Sequence, residues 1–119
     1  MQFPSNEELE IIKQYTLLPF VIQVFQRDLK VIEDSNLKFR EPYFQLINQA
    51  VRGIEKDYIN AKKSIKRIGI KIYEETRSDK GVEWKYIYCG YHHKFAYSTH
   101  VLKTEVKRLV AFYLGCHPI

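Results

Sequence analysis

Two short segments of the sequence pair cysteine with histidine, residue types that bind zinc. Cys89 and His92 are three residues apart, and Cys116 directly precedes His117. Structural zinc takes four nitrogen or sulfur ligands in a tetrahedron, so a fold that joins the two segments would supply one ligand set. The sequence contains no pair of C-x-x-C units, which is the stronger zinc signal. Zinc, held by a stabilised module or by a small metal-dependent enzyme, is therefore the third of our hypotheses.

A group of cations forms another candidate site. Four of them lie near the end of a predicted helix, and two lie in the hairpin that follows. The six residues are Lys62, Lys63, Lys66, Arg67, Arg77 and Lys80. In a winged helix the recognition helix enters the major groove and the next hairpin contacts phosphate, where cations add sequence-independent affinity. The alternative is that cations in the last turn of a helix only offset its dipole.

Motifs typical of catalysis or nucleotide binding are absent from the sequence. It has no G-x-G-x-x-G, G-x-x-x-x-G-K-[ST], H-E-x-x-H or G-x-S-x-G pattern, the signatures of nucleotide sites, zinc proteases and serine hydrolases. The carboxylates of Asp57, Glu74 and Glu75 are expected to be solvated on a helix or hairpin surface. We therefore expect no catalytic residue, and a function in binding.

Composition and charge are those of a small globular domain. The chain has 119 residues, of which 45% are hydrophobic and 14% aromatic, which predicts one domain over residues 1–119. Residues 1–41 hold 5 Lys and Arg against 7 Asp and Glu, and residues 42–119 hold 14 against 7. The basic part can attract an acidic protein, a nucleic acid or a membrane surface, although excess lysine also keeps ordinary domains soluble.

The sequence predicts a cytoplasmic protein without membrane binding. No stretch of 18 apolar residues occurs, and the beginning, MQFPSNEELE, lacks the basic and apolar parts of a secretory signal. Cys89 and Cys116 are too few for a disulfide framework. Buried free thiols are expected, with one bridge as the alternative.

Helix one is predicted to begin at Asn6, because Ser5 and Glu8 fit a capping box. Apolar residues then recur at spacings of four and three, which places them on one face. They are Ile11, Tyr15, Leu18, Ile22, Phe25, Leu29 and Ile32, with a second stripe of Leu17, Val21, Val24 and Val31 beside them. A face this wide predicts a helix that is central to the fold and also pairs with a second copy in a homodimer. Pro19 lies within the pattern and is expected to kink the helix.

A second helix of matching length and period is predicted from about residue 41. Its stripe consists of Ile47, Val51, Ile54, Tyr58, Ala61, Ile65 and Ile68. Two such helices predict a long antiparallel αα-hairpin. Gly53 lies in the helix interior, where glycine costs about 1 kcal/mol against alanine, and is expected to permit a close approach of another helix.

The period changes to two between residues 70 and 88, which predicts a β-hairpin with its turn between Arg77 and Gly81. Ser98 or Thr99 can then cap a last helix that ends at Gly115. The predicted order is α-α-β-β-α, an α+β fold that is mainly α.

Three segments in the first half of the chain resemble small uncharacterised YhjD-like proteins of spore-forming Gram-positive bacteria. They are Gln14-Tyr15-Thr16-Leu17-Leu18-Pro19, Gln26-Arg27-Asp28-Leu29 and Arg40-Glu41-Pro42-Tyr43. The resemblance implies a bacterial cytoplasmic protein. It carries no assigned activity, so no functional residue is transferred.

Together these observations favour a small non-enzymatic binding or regulatory module that acts through macromolecular interaction. Its expected partners are a second copy, bound through helix one, and an unidentified protein. The alternative is a winged-helix-like DNA-binding protein. No cofactor is expected beyond the zinc of the third hypothesis.

Overall fold

Three helices and a three-stranded antiparallel sheet form the protein in the computed structural model, which describes residues 2–116. The helices are α1 (Asn6–Glu33), α2 (Glu41–Ile68) and α3 (Thr99–Tyr113). The strands are β1 (Lys71–Ser78), β2 (Gly81–Tyr88) and β3 (Tyr91–Ser98), in the sheet order β1-β2-β3. The α+β class and the helical hairpin, β-hairpin and C-terminal helix are confirmed. The predicted order α-α-β-β-α lacked β3, and the observed chain order is α-α-β-β-β-α.

The turn that leads into β3 explains why this strand was missed. Cys89 and Gly90 have φ angles of 51° and 80°, and positive φ at both central residues is typical of a two-residue type I′ hairpin turn. Asparagine or aspartate usually precedes the glycine of such a turn, so Cys89-Gly90 gave no clear signal. The turn pairs Tyr88 with Tyr91 and adds the third strand to the sheet.

Helix α1 begins at the predicted capping box. The Glu8 amide donates to the Ser5 hydroxyl at 3.1 Å, and the Ser5 amide donates to the Glu8 carboxylate at 2.9 Å. The helix is continuous through Pro19 to Glu33, so proline does not split it. Its capping and apolar period therefore outweigh the one backbone hydrogen bond that proline cannot donate.

Helix α1 is the centre of the fold, as predicted, and it is buried from three sides. Leu18, Val21 and Phe25 pack on α2, where they meet Ile47 and Ile54.

The sheet and α3 cover the remainder of α1. Ile12 packs with Ile65, Ile70 and Tyr86, whereas Leu17 packs with the inner face of the sheet. That second cluster contains Val82, Trp84 and Tyr97, with α3 residues Leu102, Val106 and Leu109 against it. Two of the four residues in the second apolar stripe of α1, Leu17 and Val21, are therefore buried within one chain.

Gly81 is required where β2 begins. It has φ 148° and pairs with Ser98 of β3, and a Cβ atom at this position would collide with the carbonyl oxygen of Tyr97. Any larger residue would push the strands apart. Within residues 2–116, no helix has the length and apolar character needed to cross a lipid bilayer.

Gly53→Ala is expected to stabilise the protein. A Cβ at this position would lie 3.7 Å from the nearest ring carbon of Tyr113, an ordinary van der Waals distance, so the substitution meets no clash. Because alanine is the better helix former, the free energy of unfolding should rise by about 1 kcal/mol. Urea unfolding measures the change, and a loss of stability would show that α3 needs the glycine for its approach.

Glu8→Gln is expected to reduce the loss of stability in acid. Hydrogen bonds from the Ser5 backbone and from Tyr88 lower the pKa of Glu8 from its ordinary value of 4.5. Since the folded-state pKa is the lower one, the stabilisation is present above 4.5 and is lost as the pH falls through the folded value. The glutamine oxygen accepts the same hydrogen bonds but does not titrate in this range.

The measurement is thermal unfolding of both proteins from neutral pH to below pH 4.5. Glu7→Gln is the matched control, because Glu7 is an exposed acid in the same first turn of α1. Equal acid sensitivity of wild type and Glu8→Gln would contradict the assignment.

Candidate functional site

An open groove of about 570 Å³ lies between α1 and α3. Its floor is apolar and consists of Phe20, Val24, Leu102, Val106 and Val110, and its rim consists of Gln23, Arg27, Lys103 and Lys107. None of the floor residues is fully buried and none is fully exposed. The groove is therefore a half-covered apolar surface between two helices, and it is not an enclosed chamber.

The crossing of α3 over α1 creates this groove. Helix α3 turns one apolar edge toward the core, where Leu109 and Tyr113 pack on the helical pair. Leu102, Val106 and Val110 lie along its adjacent edge, with spacings of four residues that place them on one side of a helix. Nothing in the described chain covers that edge fully.

The charges around the groove are all positive. Arg27, Lys103 and Lys107 are exposed, and none of them forms an ion pair within the described residues. No acidic residue lines the groove. Lys103 and Lys107 are four residues apart on α3, where like charges repel by a few tenths of a kcal/mol. An acidic ligand would relieve this repulsion.

A second groove on the opposite side of α3 differs in its charges. It is lined by Glu10, Lys13, Glu105 and Arg108 among others. Its cations are already neutralised, because Lys13 pairs with Glu10 at 3.4 Å and Arg108 pairs with Glu105 at 2.9 Å. The two grooves beside α3 therefore differ, because only the first is bordered by cations that form no ion pair with a described residue.

Polar contacts hold α3 in place at both ends. The Ser98 hydroxyl accepts from the Val101 amide at 3.2 Å, and the Thr99 hydroxyl donates to the carbonyl of Asp79 at 2.9 Å. At the other end the Tyr113 hydroxyl donates to the Asp57 carboxylate at 2.6 Å. Burial, with this hydrogen bond as the next cause, raises the pKa of Tyr113. The groove therefore has a rigid wall.

The structure does not bring together Cys89, His92 and Cys116, the three described residues of the zinc hypothesis, as a metal site. Cys89 is exposed in the β2–β3 turn and Cys116 is exposed after α3, so the expectation of buried thiols was wrong. His92 Nδ1 is hydrogen-bonded with the Tyr73 hydroxyl at 3.0 Å, and His117 lies outside the described residues. No group of three or more His, Cys, Asp and Glu side chains suited to a metal occurs between residues 2 and 116.

His92 and His93 point to opposite faces of the sheet, because successive side chains alternate along a strand. His92 is exposed, whereas His93 is buried and stacks on Tyr86 with ring centroids 5.3 Å apart. The Nε2 atom of His93 has no hydrogen-bond partner within the described chain. The His93 ring also packs edge-on against Phe3, and the two ring centroids are 5.5 Å apart.

The six cations of the DNA hypothesis lie in two separate groups. Lys62, Lys63, Lys66 and Arg67 are exposed at the end of α2, beside the beginning of β1. Arg77 and Lys80 lie at the far end of the β1–β2 hairpin, about 20 Å along the strand. The hairpin therefore carries its cations away from the helix end, and not alongside it.

Arg77 also makes contacts that stabilise the fold. Its guanidinium lies 4.6 Å from the centre of the Phe20 ring and donates to the Glu75 carboxylate at 2.9 Å. The same carboxylate accepts a hydrogen bond from the Trp84 indole at 2.8 Å. This chain of contacts ties the edge strand β1 to β2 and α1.

Helix α2 has a basic outer face that sequence reasoning identified only in part. Arg52 and Lys56 precede the predicted cations on the side of α2 away from its buried residues. We define the basic face by Arg52, Lys56, Lys63, Lys66 and Arg67. It extends about 22 Å along the helix, and none of the five forms an ion pair with a described residue.

Sequence reasoning missed the first groove. Arg27 lies on α1 and is 76 residues before Lys103, the nearer of the two α3 cations in sequence. The three cations border one groove only because of how α3 crosses α1. One signal was present, because Val24 belongs to the second stripe of α1 and Leu102 and Val106 to the apolar side of α3. The excess of apolar residues on α1 and α3 could have indicated an uncovered apolar surface between these two helices.

Comparisons with known proteins give one family. The family model described as YhjD protein matches residues 3–117. A protein of Bacillus subtilis (strain 168) with the name "Uncharacterized protein YhjD" is 31% identical over 110 residues, which cover 92% of this chain and 92% of that protein. No solved structure matches this chain.

Proposed function

The chain belongs to the YhjD protein family, and we propose that it is a non-enzymatic module that binds another protein through the groove between α1 and α3. The partner that fits this groove is an amphipathic helix with acidic flanks. One observation carries the proposal: an apolar floor is bordered by three unpaired cations and by no acid. The name of the Bacillus subtilis relative states no activity, so this surface is the basis of the proposal.

The dimensions of the groove favour a helix. The floor and rim extend from Phe20 to Arg27 on α1 and from Leu102 to Val110 on α3, which is about 11 to 12 Å along either helix. That length accommodates about two turns of a partner helix, whose apolar anchors would recur at i, i+3 or i+4 and i+7. A small molecule fits less well, because ligand pockets usually bury most of the ligand and this floor is open.

The charge pattern favours an acidic partner. Glutamates beside the apolar anchors would approach Arg27 on one rim and Lys103 and Lys107 on the other. Exposed ion pairs contribute only about 0.2–1 kcal/mol each, so the apolar floor provides most of the affinity and the cations select the partner and its orientation.

A second candidate function is nucleic-acid binding through the basic face of α2. Five exposed and unpaired cations on one side of a helix can neutralise phosphates without reading bases. The winged arrangement is not needed for this mode, because the hairpin cations Arg77 and Lys80 lie elsewhere. The α2 face thus supports the alternative hypothesis in a sequence-independent form.

The groove is tested with a fluorescent synthetic amphipathic peptide that has leucines at helical spacing and glutamates on both flanks. Anisotropy should show binding to the wild-type protein. The double variant Lys103→Glu and Lys107→Glu should weaken this binding about tenfold, because it reverses the charge of one rim. Val106→Asp should abolish it by placing a charge in the apolar floor.

Lys13→Glu is the matched control, since it changes a cation in the second groove and is expected to leave peptide affinity unchanged. A peptide of the same composition in scrambled order should not bind. Absence of binding by the ordered peptide, or equal binding of the scrambled one, would contradict the proposed function.

The basic face of α2 is tested with mixed duplex DNA at two salt concentrations. If the basic face of α2 binds phosphates, affinity falls steeply with salt, and reversing Lys56, Lys63, Lys66 and Arg67 to glutamate removes it. Lys80→Glu serves as control and should change affinity little, whereas a comparable loss would restore the winged-helix hypothesis. Absence of binding at low salt would exclude this second candidate.

A further inference from the structure

The end of the helical pair opposite the sheet carries an exposed apolar surface. Of the eleven large apolar side chains exposed in the described chain, five lie between residues 31 and 46. We call these five the tip patch: Val31, Leu37, Phe39, Tyr43 and Leu46. Their exposed fractions range from 44% to 67%.

The tip patch is exposed because α3 ends before it reaches this part of α1 and α2. Helix α3 finishes beside Gly53, where the Tyr113 ring packs, and Gly53 is about 15 Å along α2 from Tyr43. Tyr43 and Leu46 lie just before the buried residues Ile47 and Ala50. The apolar surface of α2 thus continues past the point where α3 can cover it.

The tip is an ordered structure, held by contacts of its own. The Ser35 hydroxyl donates to the Ile32 carbonyl at 2.6 Å, and Arg40 donates to the Glu33 carbonyl at 2.6 Å. The Lys38 ammonium lies 5.4 Å from the centre of the Phe39 ring. A preformed apolar surface of this kind costs little conformational entropy when it binds.

The charges of the tip are balanced, which fits a second copy of the same chain. Residues 30–41 contain three cations and three acids. They are Lys30, Lys38 and Arg40 with Glu33, Asp34 and Glu41. In a twofold symmetric contact the same patch faces itself, so a balanced patch meets no net repulsion. The groove and the basic face of α2, which are both positive, would repel their own copies.

We propose that two copies associate through their tip patches. Each copy contributes the end of α1 and the beginning of α2. The four helix segments together can form a small four-helix arrangement that buries both tip patches. This narrows the expectation of a dimer through the surplus apolar surface of helix one to the end of that helix, because most of α1 is already covered by α2, the sheet and α3. The proposal is independent of the groove, which stays free for another partner.

The test is the mass of the full-length protein in solution, measured by light scattering across a concentration series. Wild type should approach twice the chain mass of 14.2 kDa as concentration rises. The double variant Leu37→Ser and Phe39→Ser should weaken association at least tenfold. Ile59→Ser is the matched control, because Ile59 is 53% exposed on α2 but away from the tip, and it should dimerise like wild type.

A second variant locates the contact without removing apolar surface. Lys38→Cys, made with Cys89 and Cys116 replaced by serine, should form an oxidised dimer rapidly, whereas Lys62→Cys in the same background should not. Circular dichroism confirms that each variant is folded. A monomer at every concentration, or a dimer that tolerates the tip double variant and is broken by Val106→Asp, would overturn the proposal.

Discussion

The burial of α1 on three sides is the constraint on which the rest of the structure depends. Its two apolar stripes require more cover than one helix provides, and α2, the sheet and α3 each cover a part. Leu17 and Leu18 are adjacent in sequence, yet one packs on the sheet and the other on α2. Each later element contributes residues to the clusters that bury this helix.

The candidate surfaces are the places where that cover ends. Between α1 and α3 the apolar floor stays half-exposed, because Leu102, Val106 and Val110 pack partly on the core and partly line the open groove. From Gly53 toward the tip, no third element among residues 2–116 covers the helical pair. Both surfaces therefore have the same origin, a central helix longer and more apolar than its covering elements. They differ in charge, which is why we assign them different partners.

A few side-chain hydrogen bonds determine how the layers are oriented. Tyr88 donates to Glu8 at 3.0 Å and joins the sheet to the beginning of α1, and this contact raises the pKa of Tyr88 to about 12. Tyr113 joins α3 to α2 through Asp57. Apolar packing is not directional, whereas these contacts require one geometry, so they select among the arrangements that packing alone would allow.

Local signals in the sequence determined the elements: the capping box at Ser5, the apolar periods of α1 and α2, and the alternation around Trp84 each act within a few residues. The family was also recognisable from short segments of α1 and of the beginning of α2. The third strand was not, because its turn places Cys89 where asparagine is usual. Only the tertiary structure decided the candidate surfaces. Arg27 and Lys103 border the same groove, and Arg77 is separated from Lys66. Helix crossing and strand direction place these residues, which are distant in sequence, and no local sequence pattern predicts such placements.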